Sequence, residues 1–266
     1  MSSPKVSIIL PVNRDDGFLK DSILSLLNQV FKDFEILVIA NNTSDELWEY
    51  IEELQKLDSR IKIFRVKLGG LVFALNYAIS IAKGKYIARM DADDISLEQR
   101  IITQVEYLDN NPNISILGTQ IQYINELGDK LGQQASQLPS NFFKIRKIAY
   151  YKCPLYHPTV MYRKNDILKL GGYKYGFYGE DYELWLRAIH EGFEIANLNE
   201  VLLYYRVHAN QVSNTSRIKN LYIAQMLWIF LKKYKNYKYF FGILLQKNFF
   251  QYLIVKSSKV RKKVGL

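Results

Sequence analysis

Short apolar runs alternate with amphipathic stretches along the first hundred residues. Lys5–Val12 (Lys-Val-Ser-Ile-Ile-Leu-Pro-Val) is almost wholly apolar, the pattern of a strand buried on both faces of a parallel sheet. Over Phe18–Val30 apolar residues recur at Leu19, Ile23, Leu26 and Leu27, which is helical spacing. Phe34–Ala40 predicts a second buried strand, Glu46–Leu57 a second amphipathic helix, and Ile61–Val66 a third strand. A Gly69-Gly70 break precedes a helix over Val72–Ala82, and Lys85–Met90 predicts a fourth strand. Strands alternating with helices predict an α/β fold with a mostly parallel sheet and right-handed crossovers. Ligands bind such sheets beyond the carboxyl ends of the strands. The chemistry is therefore expected at Val12–Asp15, Ala40–Asp45 and Asp91–Asp94.

The second half is patterned more weakly. A helix is expected from about Leu97 to Asn110, and a strand over Ile114–Tyr123. Gln133–Pro139 reads as loop and Ser140–Tyr151 as weakly helical. Thr159–Tyr162 and Glu194–Asn197 read as short strands, with a helix over Glu180–His190 between them. No repeat or low-complexity linker is visible.

Composition narrows the setting. The 266 residues suit one large domain, or one domain with a C-terminal extension. A single cysteine, Cys153, excludes an internal disulfide framework and a cysteine-rich zinc site, and fits a reducing compartment. The N-terminal residues show no signal-peptide pattern, and no apolar stretch reaches the roughly 20 residues of a spanning helix, so a cytoplasmic protein is expected. The net charge of +10 is unevenly spread. From Val201 onward there are 13 Lys or Arg and no Asp or Glu, leaving 23 basic and 26 acidic residues before it. Over Leu221–Val255 aromatic residues, among them Tyr222, Trp228, Phe240, Phe249, Phe250 and Tyr252, interleave with Lys. Such a tail suits an anionic membrane surface or single-stranded nucleic acid. No nucleic-acid module is recognisable, so a membrane-facing helical pair packed on the main domain is expected.

Two acidic clusters carry the candidate chemistry. Asp91, Asp93 and Asp94 place three carboxylates within four residues. Their repulsion is relieved by a hard divalent cation such as Mn²⁺ or Mg²⁺, which can also bridge a diphosphate. The plainer reading is an exposed turn in which Asp94 or Ser96 caps the next helix; the position after the fourth strand favours the metal. Glu180-Asp181-Tyr182-Glu183 follows an aromatic, Gly-containing loop. Asp181 and Glu183 stand roughly 200° apart on a helix and would not act together. Glu180 and Asp181 suit a general base, against the alternative of carboxylates stabilised by a helix dipole. The Asn41–Asp45 turn offers an amide that can read uracil, or is a simple turn and cap. Arg206 and His208 lie in a polar, aromatic segment that could close over a diphosphate, Arg206 supplying charge and His208 a metal or phosphate contact.

Four collinear motifs carry a resemblance: Val6–Asn13, Phe34–Ile39, Ala88–Ser96 and Glu180–Arg187. Together they resemble glycosyltransferase family 2, inverting enzymes of GT-A fold. The resemblance covers about residues 5–215. It implies a catalytic domain over 1–216, with a nucleotide-binding half to about 97 and an acceptor-binding half from 98, and a basic, aromatic extension over 217–266. Pro11, Val12 and Asp15 would line the nucleotide pocket. Asn41 stands where many members carry an Asp that reads uracil. Asp91 would meet the ribose or a metal-bound water, Asp93 would ligate the metal, and Asp181 or Glu180 would be the base. Within the family the motifs, with His157-Pro158-Thr159-Val160-Met161, are most similar to bacterial O-antigen β-1,3-galactosyl- and β-1,3-glucosyltransferases. That subgroup implies a UDP-sugar donor, galactose favoured over glucose, and a GlcNAc or GalNAc acceptor linked through diphosphate to a lipid. A non-catalytic nucleotide-sugar-binding module is the competing reading. A nucleotidyltransferase would need a Gly-rich basic loop after the first strand, where Pro-Val-Asn-Arg-Asp-Asp-Gly holds one glycine.

Overall fold

The structure, a computed structural model, describes residues 3–133, 135–174, 178–209, 211 and 216–246. The expected aromatic positions Phe249, Phe250 and Tyr252, residue Asn210 and residues 175–177 lie outside the described residues. Eight strands form one mixed sheet. In chain order these are β1 (Val6–Val12), β2 (Phe34–Asn41), β3 (Ile61–Val66), β4 (Tyr86–Arg89), β5 (Ile95–Ser96), β6 (Ile114–Ile124), β7 (Met161–Arg163) and β8 (Glu194–Arg206). Their spatial order is β3-β2-β1-β4-β7-β6-β8-β5. The first four are mutually parallel. β7 runs antiparallel to both β4 and β6, β6 and β8 are parallel, and β5 is antiparallel to β8. From β1 the chain first moves to one side, to β2 and β3, then returns to β4 on the other. The crevice beyond the carboxyl ends of β1 and β4 is thus the topological switch point.

Period-two alternation along the central strands fills two cores. Val6, Ile8, Leu10 and Val12 point to one face, with α1 (Leu19–Leu27), α2 (Asp45–Gln55) and α4 (Arg100–Asn110). Ile9, Leu37 and Ile39 point to the other, which is covered by α3 (Leu71–Ile81), α5 (Phe142–Ile148) and α7 (Glu180–His190). A short α6 (Lys164–Lys169) follows β7. Two helices, α2 and α5, begin at a side-chain cap. Ser44 Oγ accepts from Leu47 N–H at 3.3 Å and Asn141 Oδ1 from Lys144 N–H at 3.0 Å.

The early elements match their expected spans within a few residues. Among the later ones the helix over Glu180–His190 matches and the strand expected over Ile114–Tyr123 runs one residue further, to Ile124, while others depart. The strand expected over Glu194–Asn197 runs on to Arg206, because pairing with β6 satisfies its backbone along the whole length. Thr159 lies in a 3₁₀ turn, His157–Thr159, before β7 begins at Met161. The capping role weighed for Asp94 is not made: α4 starts at Arg100 without a side-chain cap, and Asp94 is engaged elsewhere.

The basic C-terminal stretch packs against the domain. Helices α8 (Ser216–Tyr234) and α9 (Lys238–Leu245) send Ala224, Leu227, Phe230, Tyr239 and Ile243 into the same core as α7. His190 of α7 stacks on Tyr234 with ring centroids 3.6 Å apart, and its Nε2 meets the Tyr239 hydroxyl at 2.6 Å. Gly242 lets α9 approach the Tyr150 carbonyl so closely that a Cβ there would overlap it. Gly242→Ala is accordingly expected to cost about 1–3 kcal/mol of stability, read as a lowered thermal midpoint. An unchanged midpoint would mean that α9 is not docked in this way.

Candidate active site

A cleft of about 830 Å³ opens at the switch point. Pro11, Val12 and Asp15 line it at the end of β1, Asn41 at the end of β2, Asp91 and Asp93 after β4, and Glu180 and Asp181 at the start of α7. The two acidic clusters, some ninety residues apart in sequence, therefore share one wall-to-wall space.

The acidic turn is held from behind by α1. Ser22 Oγ donates to the Asp91 carbonyl at 2.9 Å, and Ser25 Oγ accepts from Ser96 N–H at 3.0 Å. Buried Gln29 donates to the Leu97 carbonyl at 2.8 Å and accepts from Ile101 N–H at 3.0 Å. Three buried arginines surround the carboxylates. Arg89 pairs with Asp91. Arg100 donates to the Arg89 carbonyl at 2.6 Å; burial and the neighbouring Arg89 charge lower its pKa to about 9. Arg206 donates from Nε to the Asp93 carbonyl at 2.9 Å and from Nη1 to the Glu126 carbonyl at 2.6 Å, and its guanidinium lies 4.4 Å from the Phe18 ring centre.

Asp91 and Asp94 are nonetheless held up in pKa. For Asp94, burial and then the charges of Asp91 and Asp93 push the group well above the usual range. Asp91 is raised by burial, with Arg89 opposing. Ligand oxygens of Asp91, Asp93 and Asp94 all lie within 4.8 Å of one another. Asp94 Oδ1 accepts from Arg206 N–H at 3.0 Å, while its buried Oδ2 has no hydrogen-bond partner among the described residues. An all-oxygen set with an orphaned buried acceptor fits a hard divalent cation. His208 stands beside this set, its Nε2 3.0 Å from Asp93 Oδ2.

Across the cleft, Gly179 takes the left-handed conformation (φ 79°) and starts α7, which turns Glu180 and Asp181 inward. Glu180 is pushed up to about 7, first by burial and then by the charge of Asp181. His157 Nδ1 lies 3.8 Å from Glu180 Oε1, and its Nε2 meets the Tyr173 hydroxyl at 2.9 Å. Burial drives the imidazole well below its usual pKa, so it is neutral and the contact with Glu180 is not an ion pair. Glu183 faces away, in a buried bidentate pair with Arg187 at 2.9 and 2.6 Å, as the helical spacing required.

Two sequence-derived assignments acquire different surroundings. Arg206 was expected to contact a diphosphate. The structure places it 1% exposed and outside the cleft lining, with Nε and Nη1 on backbone carbonyls and Nη2 3.7 Å from Asp21 Oδ2, the contacts of a strut. Asn41 Nδ2 donates to the Val12 carbonyl at 3.1 Å and its Oδ1 accepts from Gly70 N–H at 3.2 Å. Each end of the amide keeps one further hydrogen-bonding position. Asp15 Oδ1 accepts from the N–H groups of Gly17, Phe18 and Leu19 at 2.9–3.1 Å and so caps the entry to α1 from the cleft rim. Arg89 and Lys219 are cleft residues that the sequence did not single out. Arg89 could have been found from its place two residues before Asp91. Lys219 had no local signal.

The model of glycosyl transferase family 2 matches residues 7–171. The chain is 40% identical over 231 residues to the O-antigen biosynthesis glycosyltransferase WbnJ of Escherichia coli, covering 86% of this chain and 89% of that one. The chain belongs to glycosyl transferase family 2. It is a sugar-nucleotide-dependent glycosyltransferase. An uncharacterised glycosyltransferase of Methanocaldococcus jannaschii, MJ1057, is 32% identical over 263 residues, covering 96% of this chain and 88% of its own. Among solved structures, Staphylococcus aureus TarS 1–349 in complex with UDP-GlcNAc superposes with a TM-score of 0.68 at 17% identity, over 85% of this chain and 66% of that one. The mannosyltransferase PcManGT of Pyrobaculum calidifontis, in complex with GDP-Man and Mn²⁺, gives a TM-score of 0.68 at 13% identity, over 87% and 65%. The chain thus spans about two thirds of these solved structures, and the fold of this family 2 enzyme is GT-A.

Arg206→Met separates the two roles considered for that residue. As a strut, its loss is expected to destabilise the glycosyltransferase by about 3 kcal/mol in denaturant unfolding, because the carbonyls of Asp93, Asn125 and Glu126 lose their charged donor. An unaltered midpoint would return Arg206 to the diphosphate.

Proposed function

We propose that this enzyme transfers a hexose, with inversion, from a UDP-sugar to a GlcNAc or GalNAc carried on a lipid diphosphate, in assembly of an O-antigen or similar polysaccharide repeat. Galactose in β-1,3 linkage is the favoured product and β-1,3-glucose the alternative. One observation carries the reading: the Asp91–Asp94 turn and the Glu180-Asp181 pair face each other across a single cleft. The name of the Escherichia coli relative supports the pathway. The sequence motifs shared with the β-1,3 subgroup support the sugar and the linkage.

In this reading Pro11, Val12 and Asp15 wall the nucleotide, and Asn41 uses its remaining N–H and lone pair on the uracil. Asp93, with Asp91 and His208, holds a Mn²⁺ or Mg²⁺ ion, and the buried Asp94 oxygen adds a further acceptor. The ion, when bound, supplies countercharge for the departing diphosphate. Asp181, with Glu180 beside it, takes the proton from the acceptor hydroxyl. The hydroxyl oxygen bonds to C1 of the sugar opposite the diphosphate, and UDP departs with the electron pair of the broken C1–O bond. Geometry and one base suffice, and no protein nucleophile is needed.

A donor screen tests this directly. UDP-Gal, UDP-Glc, UDP-GlcNAc and UDP-GalNAc are offered with Mn²⁺ and synthetic sugar-diphosphate-lipid acceptors, and the product linkage is determined. Asp181→Asn should lower kcat by about 10²–10⁴-fold. Because Glu180 is raised to about 7, it takes up a proton beside Asp181 as pH falls through about 7. Base activity should therefore be full above that pH and decline below it. Glu180→Gln should move that acidic limb down while leaving turnover. A greater loss in Glu180→Gln than in Asp181→Asn would exchange the roles.

We also infer that the enzyme docks peripherally on the cytoplasmic leaflet. No helix of the described residues is long and apolar enough to cross a membrane. Helices α8 and α9 expose Trp228, Ile229, Phe240, Phe241 and Leu245 beside Lys232, Lys233 and Lys238, which suits an anionic interface. Removing these helices would strip Leu227 and Phe230 from the core, so surface changes are the cleaner probe. Trp228→Ser with Phe241→Ser and Leu245→Ser should reduce co-flotation with phosphatidylglycerol vesicles while preserving the thermal midpoint. Equal flotation would remove the membrane from the account.

A further inference from the structure

Three cations line the cleft: Arg14, Arg89 and Lys219. Two have local carboxylates. Arg89 is paired with Asp91, and Arg14 lies 3.1 Å from Asp16 at the nucleotide end. Lys219 belongs to the other end and comes from α8, outside the segment that matches the family model. Its charge is felt at Glu180 and at Cys153, whose sulfur lies 3.5 Å from Asp181 Oδ2. Among the described residues no ion pair to Lys219 is formed.

The first turns of α8 are fastened to the turn that bears the base. Tyr222, one turn beyond Lys219, packs its ring 5.6 Å from that of Tyr178. Ile223 lies where a Cβ on Gly179 would meet it at 3.6 Å. Lys219 is thereby fixed beside Glu180 and Asp181. Farther along the same helix, ten residues or roughly 15 Å of axial rise away and about 80° round from Lys219, Ile229 is exposed. Resting on the acceptor class given above, we propose that Lys219 binds the diphosphate of the lipid-linked acceptor, with the lipid running from it toward the exposed apolar part of α8. The C-terminal helix then supplies an acceptor-specificity residue, while the acidic turn after β4 serves the donor's diphosphate.

The test compares sugar-diphosphate-lipid and sugar-monophosphate-lipid acceptors of identical sugar and chain, with full-length protein and the donor that the screen identifies. Lys219→Ala should lower kcat/KM for the diphosphate acceptor about 10- to 100-fold, mainly through acceptor KM. It should leave donor KM unchanged, and Lys219→Arg should recover most of the loss. The preference for diphosphate over monophosphate should shrink in Lys219→Ala. Circular dichroism and the thermal midpoint confirm that α8 remains folded. An undiminished preference, or a rise in donor KM in place of acceptor KM, would overturn the inference and leave the functional reading intact. Failure of the wild-type enzyme on every sugar-diphosphate lipid would remove the acceptor class, and this inference with it.

Discussion

Three carboxylates in one four-residue turn are the constraint around which this structure is organised. Left alone they would repel one another and resist burial. The protein answers with Arg89, Arg100 and Arg206, all buried, placed to the sides and rear of the turn. It does not neutralise the cluster completely. Asp94 and Asp91 remain raised in pKa and Asp94 keeps an unpartnered oxygen. The turn is thus held firmly while part of its acceptor capacity stays unmet. The serines of α1, and Gln29 two residues past its end, fix the backbone at and just after the same turn.

The sheet explains where this turn is put. Crossovers leave β1 in opposite directions, and the crevice between β1 and β4 is the place where loops diverge and a nucleotide can enter. The second half of the chain closes the other side. β8 pairs with β6 to its last residue, Arg206 against Ile124, and brings Arg206, with His208 just after it, back to the acidic turn, while Gly179 delivers the Glu180-Asp181 pair from α7. The two acidic clusters therefore come from separate segments that meet only in the folded chain.

The C-terminal helices join both themes. Their inner faces complete the core beneath α7, and their outer faces carry aromatic and lysine side chains. Tyr222 and Ile223 of α8 lie against Tyr178 and Gly179, so the helix is close to the Glu180-Asp181 pair.

Much of this was legible along the chain. The apolar runs of β1 and β2, the helical spacing in α1 and the position of Asp91–Asp94 after the fourth strand are local patterns. They depend on period and burial, which sequence records directly. The opposition of Asp181 and Glu183 on α7 was legible for the same reason. The length of β8 was not, since its pairing with β6 is a long-range choice. Nor was the conversion of Arg206 from a diphosphate contact to a strut, because a guanidinium's role depends on which carbonyls surround it. Lys219 lay hidden in a basic tail whose lysines look alike until the helix is docked. The sequence by itself determined the strands, the acidic clusters and their order. The tertiary structure alone decided which charges became counterions, which stayed in the cleft and which faced solvent, because electrostatic roles follow distance and burial in space rather than separation along the chain.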